Sequence, residues 1–158
     1  MLLILFKIND YSFGIDADKI VSVIPSIDLK PILDIPNFIA GFFDFHGKLV
    51  PVIDVKMLTV QQPCQHRLST RITLINYETR IYEKYLLGIM AENMTDLVEI
   101  DDKEFKDIAI NTSKHLQMGK VFEHDGRIVQ CVDFYRVIPE DLEKKLFYEL
   151  GTKRPLST

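Results

Sequence analysis

Cysteine and long runs of like charge are scarce in this sequence of 158 residues. Its two cysteines, Cys64 and Cys131, cannot form a disulfide framework, and no Cys-x-x-Cys motif is present, which favours a reducing compartment. No basic run is longer than Lys144-Lys145, and 19 basic against 23 acidic residues give a net charge of −4. Because nucleic-acid binding depends on clustered Lys and Arg, nucleic acid is not expected as a partner.

Long hydrophobic runs are missing as well. The apolar opening segment, residues 1–6, is not preceded by the basic residues of a secretory signal. Because Lys7 ends it, the segment is also too short for a signal or a membrane span. We therefore expect a cytoplasmic protein with no direct membrane insertion. Hydrophobic residues still make up 47% of the chain, which excludes a disordered protein and predicts one packed domain.

Motifs that carry chemistry are also absent. Gly14 and Gly88 belong to no phosphate-binding glycine pattern, and the four histidines lack the spacing of metal ligands. No nucleophile elbow occurs, and neither cysteine lies in an obviously electropositive setting. The sequence therefore predicts no catalytic residue, metal or cofactor.

Short apolar segments dominate what is present. Residues 2–8, 49–55, 71–77, 85–90 and 127–134 have the length and β-branched or aromatic content of strands. Asn9-Asp10, His46-Gly47 and Asp125-Gly126 separate such segments and are typical of hairpin turns, with Gly47 and Gly126 as structural turn residues. Many short strands with frequent turns indicate a barrel or sandwich.

One helix is predicted, over residues 139–150. Leu142, Leu146 and Leu150 recur at four-residue spacing and would form one buried stripe. Pro139 suits the start of a helix and Gly151 its end. Residues 151–158 are expected to form a flexible polar tail.

An internal repeat is the most informative feature. Residues 13–20 align with residues 87–94, and residues 46–55 align with residues 125–134. Asp54 and Asp133 recur at matching positions, which favours a structural role such as capping a turn. Since each half is near the lower size limit for a stable domain, the two halves should share a core.

The repeated segments, together with Gly41 and the block from Gly47 to Asp54, resemble CheW-type chemosensory adaptors. The resemblance covers nearly the whole chain. It implies a mainly β fold of two intertwined five-stranded SH3-like β-barrels with a C-terminal helix. The expected single domain spans residues 1–150, with a first barrel over about 14–70 and a second over about 71–138 that includes the N-terminal strand.

The resemblance also implies a function. Members of this family are non-enzymatic scaffolds that join the cytoplasmic tip of a methyl-accepting chemotaxis receptor to the regulatory domain of a CheA-type histidine kinase. Carried over residue by residue, the kinase contact falls on Ile20 and Ser22. The receptor contact, in a groove between the barrels, falls on four residues, namely Gly41, Asp44, His46 and Ile72.

Two departures from the family pattern leave alternatives open. Asp44-Phe45-His46-Gly47 stands where the family has Asn-Leu-Arg-Gly, so a group without a fixed charge replaces a guanidinium. Ser22 stands where many members have a carboxylate. The chain also resembles, as one alternative, adaptors of Wsp-like arrays that control a diguanylate cyclase. A small-molecule sensor that uses the inter-barrel groove is a separate alternative. Ile20, Ile72 and Phe43 are apolar strand residues, which are more often core than interface, and His46 could equally be a solvated turn residue.

Overall fold

Ten strands dominate the parts of the chain that the computed structural model describes, residues 1–107 and 117–151. In chain order they are β1 (Leu2–Ile8), β2 (Tyr11–Asp16), β3 (Ile20–Pro25), β4 (Ile39–Phe45), β5 (Lys48–Asp54), β6 (Arg71–Glu78), β7 (Lys84–Glu99), β8 (Lys106–Asp107), β9 (Gln117–His124) and β10 (Arg127–Asp133). The five predicted strands and the mainly β class are confirmed.

Helical structure is short in these residues. Two 3₁₀ turns span Ala17–Lys19 and Asp102–Glu104, and helix α1 spans Val55–Val60. Helix α2 (Glu140–Glu143) continues as a wider π-helix over Lys144–Gly151, so the predicted C-terminal helix is confirmed. None of these helices has the length and apolar character needed to cross a membrane.

The strands form two connected five-stranded sheets. The first sheet has the order β3-β6-β7-β5-β4, and the second has the order β7-β1-β2-β10-β9, with the short β8 added beyond β9. The long β7 belongs to both, pairing with β6 over Lys84–Ala91 and with β1 over Glu92–Glu99. Among the described residues, the hydrogen-bonded strand pairs do not close either sheet into a complete barrel. The boundary between the two barrels at about residue 70 stays a prediction. Strand β6 begins just after that boundary, yet it pairs with β3, which lies before it.

The repeat is visible in the strand register. Val52 of β5 lies opposite Gly88 of β7 in a parallel pair, and Cys131 of β10 lies opposite Gly14 of β2 in another. These are equivalent pairs, because the repeat aligns Gly14 with Gly88 and Val52 with Cys131. Each glycine-containing strand thus pairs with the Gly-turn hairpin of the other half.

The pairing of strands between the two halves of the repeat produces three apolar clusters. One lies within the first sheet and includes Val52 and Ile72, and one lies within the second and includes Leu3 and Val129. The third and largest lies between the sheets and takes side chains from both of them and from the C-terminal helix. The expected shared core is therefore present.

The C-terminal helix packs on this shared core. Leu142, Leu146 and Phe147 are buried, and the Phe147 ring stacks on Tyr77 with ring centres 5.6 Å apart. The side chain of Leu150, the third leucine of the predicted stripe, lies outside the described residues, as do residues 152–158 of the predicted tail.

A buried ionic network fixes the start of the same helix. The carboxylate of Glu143, 1% exposed, accepts hydrogen bonds from the Tyr77 hydroxyl at 3.0 Å and from the Arg80 backbone N–H at 2.8 Å. It also pairs with the Arg80 guanidinium at 2.6 Å. Burial, with Glu143 adding to it, raises the pKa of Tyr77 above its ordinary value. Because the buried charge has three partners, it ties the β6–β7 hairpin to the helix.

Gly88 should not tolerate a side chain. A Cβ atom at Gly88 would lie 3.0 Å from methyl carbons of both Ile72 and Val52. We expect Gly88→Ala to lower the free energy of unfolding by about 1–3 kcal/mol in urea denaturation, through overpacking. Gly119→Ala is the matched control, since a Cβ there would have no neighbour within 4 Å. Equal stabilities of the two variants would contradict this account.

The C-terminal helix should be required for stability. Leu146→Ala removes a side chain that is 1% exposed in the shared core, and we expect a loss of about 2–5 kcal/mol in the free energy of unfolding. Lys144→Ala, at an exposed position of the same helix, should leave the free energy of unfolding nearly unchanged. Thermal or urea unfolding of both variants gives the comparison, and equal stabilities of Leu146→Ala and Lys144→Ala would contradict the contribution of Leu146 to the shared core.

Candidate partner-binding surfaces

The β3 face is the outer surface of an edge strand. In the described residues β3 pairs only with β6, and its side chains alternate between half-buried and exposed. Ile20 and Ser22, the predicted kinase contacts, are both half-buried, and Ser22 lies opposite Leu74. The more exposed side chains are Val21 (49%) and Val23 (40%), to which the resemblance assigns no contact. Side chains alternate between the two faces of a strand, so this periodicity would have indicated Val21 and Val23 once the face with Ile20 and Ser22 was known to be covered.

Gly41 has a structural reason for being glycine. Its φ angle is +149°, and a Cβ atom would lie 2.8 Å from the Leu29 Cβ and 2.9 Å from the Lys30 carbonyl oxygen. The neighbouring residue, Phe42, exchanges backbone hydrogen bonds with Lys30 at 2.8 and 2.9 Å. Gly41 therefore allows the segment after β3 to lie against β4.

The β4–β5 tip, residues 44–48, holds three of the predicted residues together. The Asp44 carboxylate accepts a hydrogen bond from the Gly47 backbone N–H at 2.8 Å. His46 and Gly47 have φ angles of +51° and +84°, as a tight two-residue hairpin turn requires. The exposed His46 ring packs edge-on against Phe45, with ring centres 4.3 Å apart. The equivalent turn residue Gly126 has a φ of +73°.

Ile72 does not lie at the surface, where the resemblance implies a receptor contact. Its side chain is 0% exposed and packs in the cluster of the first sheet, so it offers no surface to a partner. The reason is that β6 is an inner strand, covered on both faces. Ile72 is therefore separated from His46, which is exposed at the β4–β5 tip.

The inter-sheet groove lies elsewhere, between β2, β6 and the end of β10. Its volume is about 340 Å³, and its lining includes Ile15, Ile75, Val132 and Phe134, with Asp18 and Asp133 among the charged residues. Lys19 and Asp133 form an ion pair at 2.9 Å that joins the first 3₁₀ turn to the end of β10. Gly41, Asp44, His46 and Ile72 do not belong to the lining, so the structure does not bring the predicted receptor contacts to this groove.

The two repeated aspartates cap turns, as predicted. Asp54 accepts a hydrogen bond from the Met57 backbone N–H at 3.1 Å at the start of α1, and Asp133 accepts one from the Tyr135 N–H at 2.9 Å. Asp54 also accepts the Cys64 N–H at 2.9 Å. Burial and, secondarily, this carboxylate raise the pKa of the Cys64 thiol, so the thiol stays protonated at neutral pH.

Comparison with known proteins agrees with this fold. A model of the CheW-like domain matches residues 2–141. The chain is 27% identical to the chemotaxis protein CheW of Thermotoga maritima over 139 residues, which cover 85% of each chain. It is 22% identical to the chemotaxis protein CheW of Klebsiella aerogenes over 103 residues, which cover 65% of this chain and 59% of that protein.

A solved structure has a similar fold. The scaffolding protein TtCheW from Thermoanaerobacter tengcongensis superimposes with a TM-score of 0.73 at 17% sequence identity, over 87% of each chain. At that identity the likeness concerns the fold alone. The two structures share the mainly β architecture that positions the surfaces described above.

Proposed function

Because this chain belongs to the CheW-like domain family, a family of non-enzymatic scaffold proteins, we propose that it couples chemoreceptors to a histidine kinase. Its partners are the cytoplasmic tip of a methyl-accepting chemotaxis receptor and the regulatory domain of a CheA-type kinase, at membrane-bound arrays in the cytoplasm. The observation that carries the proposal is the family match over residues 2–141, which leaves only 18 residues of the chain outside it.

The β3 face is the kinase contact in this proposal. The resemblance places the contact at Ile20 and Ser22, which are half-buried on one side of β3, and the exposed Val21 and Val23 lie on its other side. Adjacent β-branched side chains on an exposed edge strand form a surface that gains from being covered by a partner.

The β4–β5 tip is the receptor contact. Asp44, His46 and Gly47 lie together on it, and Gly41 holds the strand that leads to it. His46 presents an exposed ring against Phe45 without the fixed charge of an arginine, so receptor binding here relies more on apolar contact than on an ion pair.

Reconstitution from purified parts tests the whole proposal. A receptor-tip fragment and the kinase should co-sediment only weakly alone, and adding this chain should bring all three into one complex. If the receptor fragment and the kinase each fail to bind the chain in calorimetric titration, the coupling function is wrong.

Val23→Arg should weaken kinase binding. It places a large charge on the exposed β3 face, and we expect the Kd for the kinase regulatory domain to rise at least about tenfold. The matched control is Leu97→Arg, because Leu97 occupies the repeat-equivalent position opposite Ile4 in the second sheet and is 61% exposed. An equal effect of the two substitutions would place the contact elsewhere than on β3.

His46→Arg should change receptor choice. An arginine at the β4–β5 tip can bind a receptor carboxylate with two hydrogen bonds, so affinity for a standard chemotaxis receptor tip should rise by about five- to tenfold. Asp125→Arg, at the equivalent turn position of the other hairpin, is the control. Superimposable binding curves for wild type and His46→Arg would show that His46 is a solvated turn residue.

A further inference from the structure

The first sheet borders a cavity of about 490 Å³ beside the junction of β5 and α1, which we call the first-sheet cavity. Its walls are the segment after β3, the start of β4, helix α1 and residues 63–66. Its described lining shares no residue with the β3 face, the β4–β5 tip or the inter-sheet groove. The volume lies in the range of pockets that hold small molecules.

A carboxylate without a cationic partner among the described residues lines this cavity. Asp54 is 4% exposed, and its two oxygens accept the backbone N–H groups of Met57 and Cys64 at 3.1 and 2.9 Å. Lys56, the neighbouring cation in the sequence, pairs with Glu92 at 3.3 Å instead. Each carboxylate oxygen can accept two hydrogen bonds, so Asp54 has capacity for a further donor. Because a buried charge is costly unless it is paired, a cation that reached Asp54 would be held well.

The second half of the repeat shows which cation suits such a carboxylate. One oxygen of Asp133 accepts the Tyr135 backbone N–H at 2.9 Å, and the other accepts a hydrogen bond from the Lys19 ammonium at 2.9 Å. The repeat aligns Asp133 with Asp54, and it aligns Lys19 with Asn93, whose side chain is uncharged. The first half therefore keeps the carboxylate but has no lysine at the position that supplies the alkylammonium group in the second half.

The other walls of the first-sheet cavity fit an aliphatic amine. Ile39, Met57 and Met90 line it and supply apolar surface for a hydrocarbon chain. Asp28, which is exposed, adds a second carboxylate to the lining. Among the described residues that line the cavity there is no lysine or arginine, so its negative charge attracts cations.

We propose that the first-sheet cavity binds a small aliphatic amine, whose ammonium group donates to Asp54 as the Lys19 ammonium donates to Asp133. The hydrocarbon chain lies against Ile39 and Met90, and in a diamine the second ammonium group pairs with Asp28. This ligand site goes beyond the scaffold function. It uses neither the β3 face nor the β4–β5 tip, so it can be tested whether or not those surfaces bind the kinase and the receptor.

Titration with a simple diamine tests the site. The probe, 1,4-diaminobutane, is added at neutral pH and constant ionic strength to the full-length protein labelled with nitrogen-15. We expect saturable NMR shifts at the backbone N–H groups of Met57 and Cys64, which donate to Asp54, with a Kd below about 5 mM. The matched control probe, 1,4-butanediol, has the same chain length but no charge, and it should bind at least about tenfold more weakly.

Variants of the protein test the two carboxylates separately. Asp54→Asn removes the buried charge and should weaken binding of 1,4-diaminobutane at least about tenfold. Asp28→Asn should weaken binding of the diamine at least about threefold but leave that of butylamine, which has one ammonium group, nearly unchanged. Asp10→Asn, at an exposed turn outside the cavity, is the control and should bind both amines as the wild type does.

Three results would overturn the proposal. They are equal affinity for 1,4-diaminobutane and 1,4-butanediol, shifts confined to the region of Asp18 and Asp133, or no shift at Met57 and Cys64 up to about 50 mM diamine. The comparison of the two probes uses the wild-type protein, so it holds even if Asp54→Asn, which alters the cap of α1, fails to fold.

Discussion

The structure depends on the parallel pairing of β5 with β7 and of β2 with β10. Parallel neighbours cannot be joined by a tight turn, so each such pair needs a long connection through the rest of the molecule. Here the connection crosses from one half of the repeat to the other. The two halves of the repeat therefore cannot be separated without breaking both parallel ladders, and the largest apolar cluster lies between the two sheets.

The two halves of the repeat share the same backbone arrangement but differ in which residues cover equivalent positions. Gly14 and Gly88 both sit where a side chain would crowd apolar neighbours of the opposite strands. Asp54 and Asp133 both cap a turn after the second strand of a hairpin. Yet the Asp54 carboxylate is covered by the Cys64 backbone N–H, whereas Asp133 borders an open groove. The same local geometry thus yields a structural contact in one half and an accessible surface in the other.

The described residues offer contact surfaces rather than reactive groups. Burial raises the pKa of the Cys131 thiol to about 11, and that of Cys64 is raised as well, so neither thiol is a ready nucleophile. The Tyr77–Arg80–Glu143 network likewise serves packing, because it connects the C-terminal helix to β6. An edge strand with exposed valines, a rigid hairpin tip and a groove are features suited to a scaffold with several partners.

The sequence by itself determined five of the ten described strands, the hairpin turns at residues 46–47 and 125–126, the repeat, the C-terminal helix and the family. These follow from local signals, namely apolar periodicity, residues that tolerate positive φ, and motif order. It could not show that β7 continues beyond Met90 into the second sheet, that Ile72 is fully buried, or that Val21 and Val23 are the exposed side chains of β3. Alternation along a strand indicates two faces but not which face is covered, because the covering residues are brought there by pairing between distant parts of the chain. Only the tertiary structure decided that Asp54 is buried, because it brings the Cys64 backbone N–H onto that carboxylate, whereas the side chain of its repeat partner Asp133 is 40% exposed.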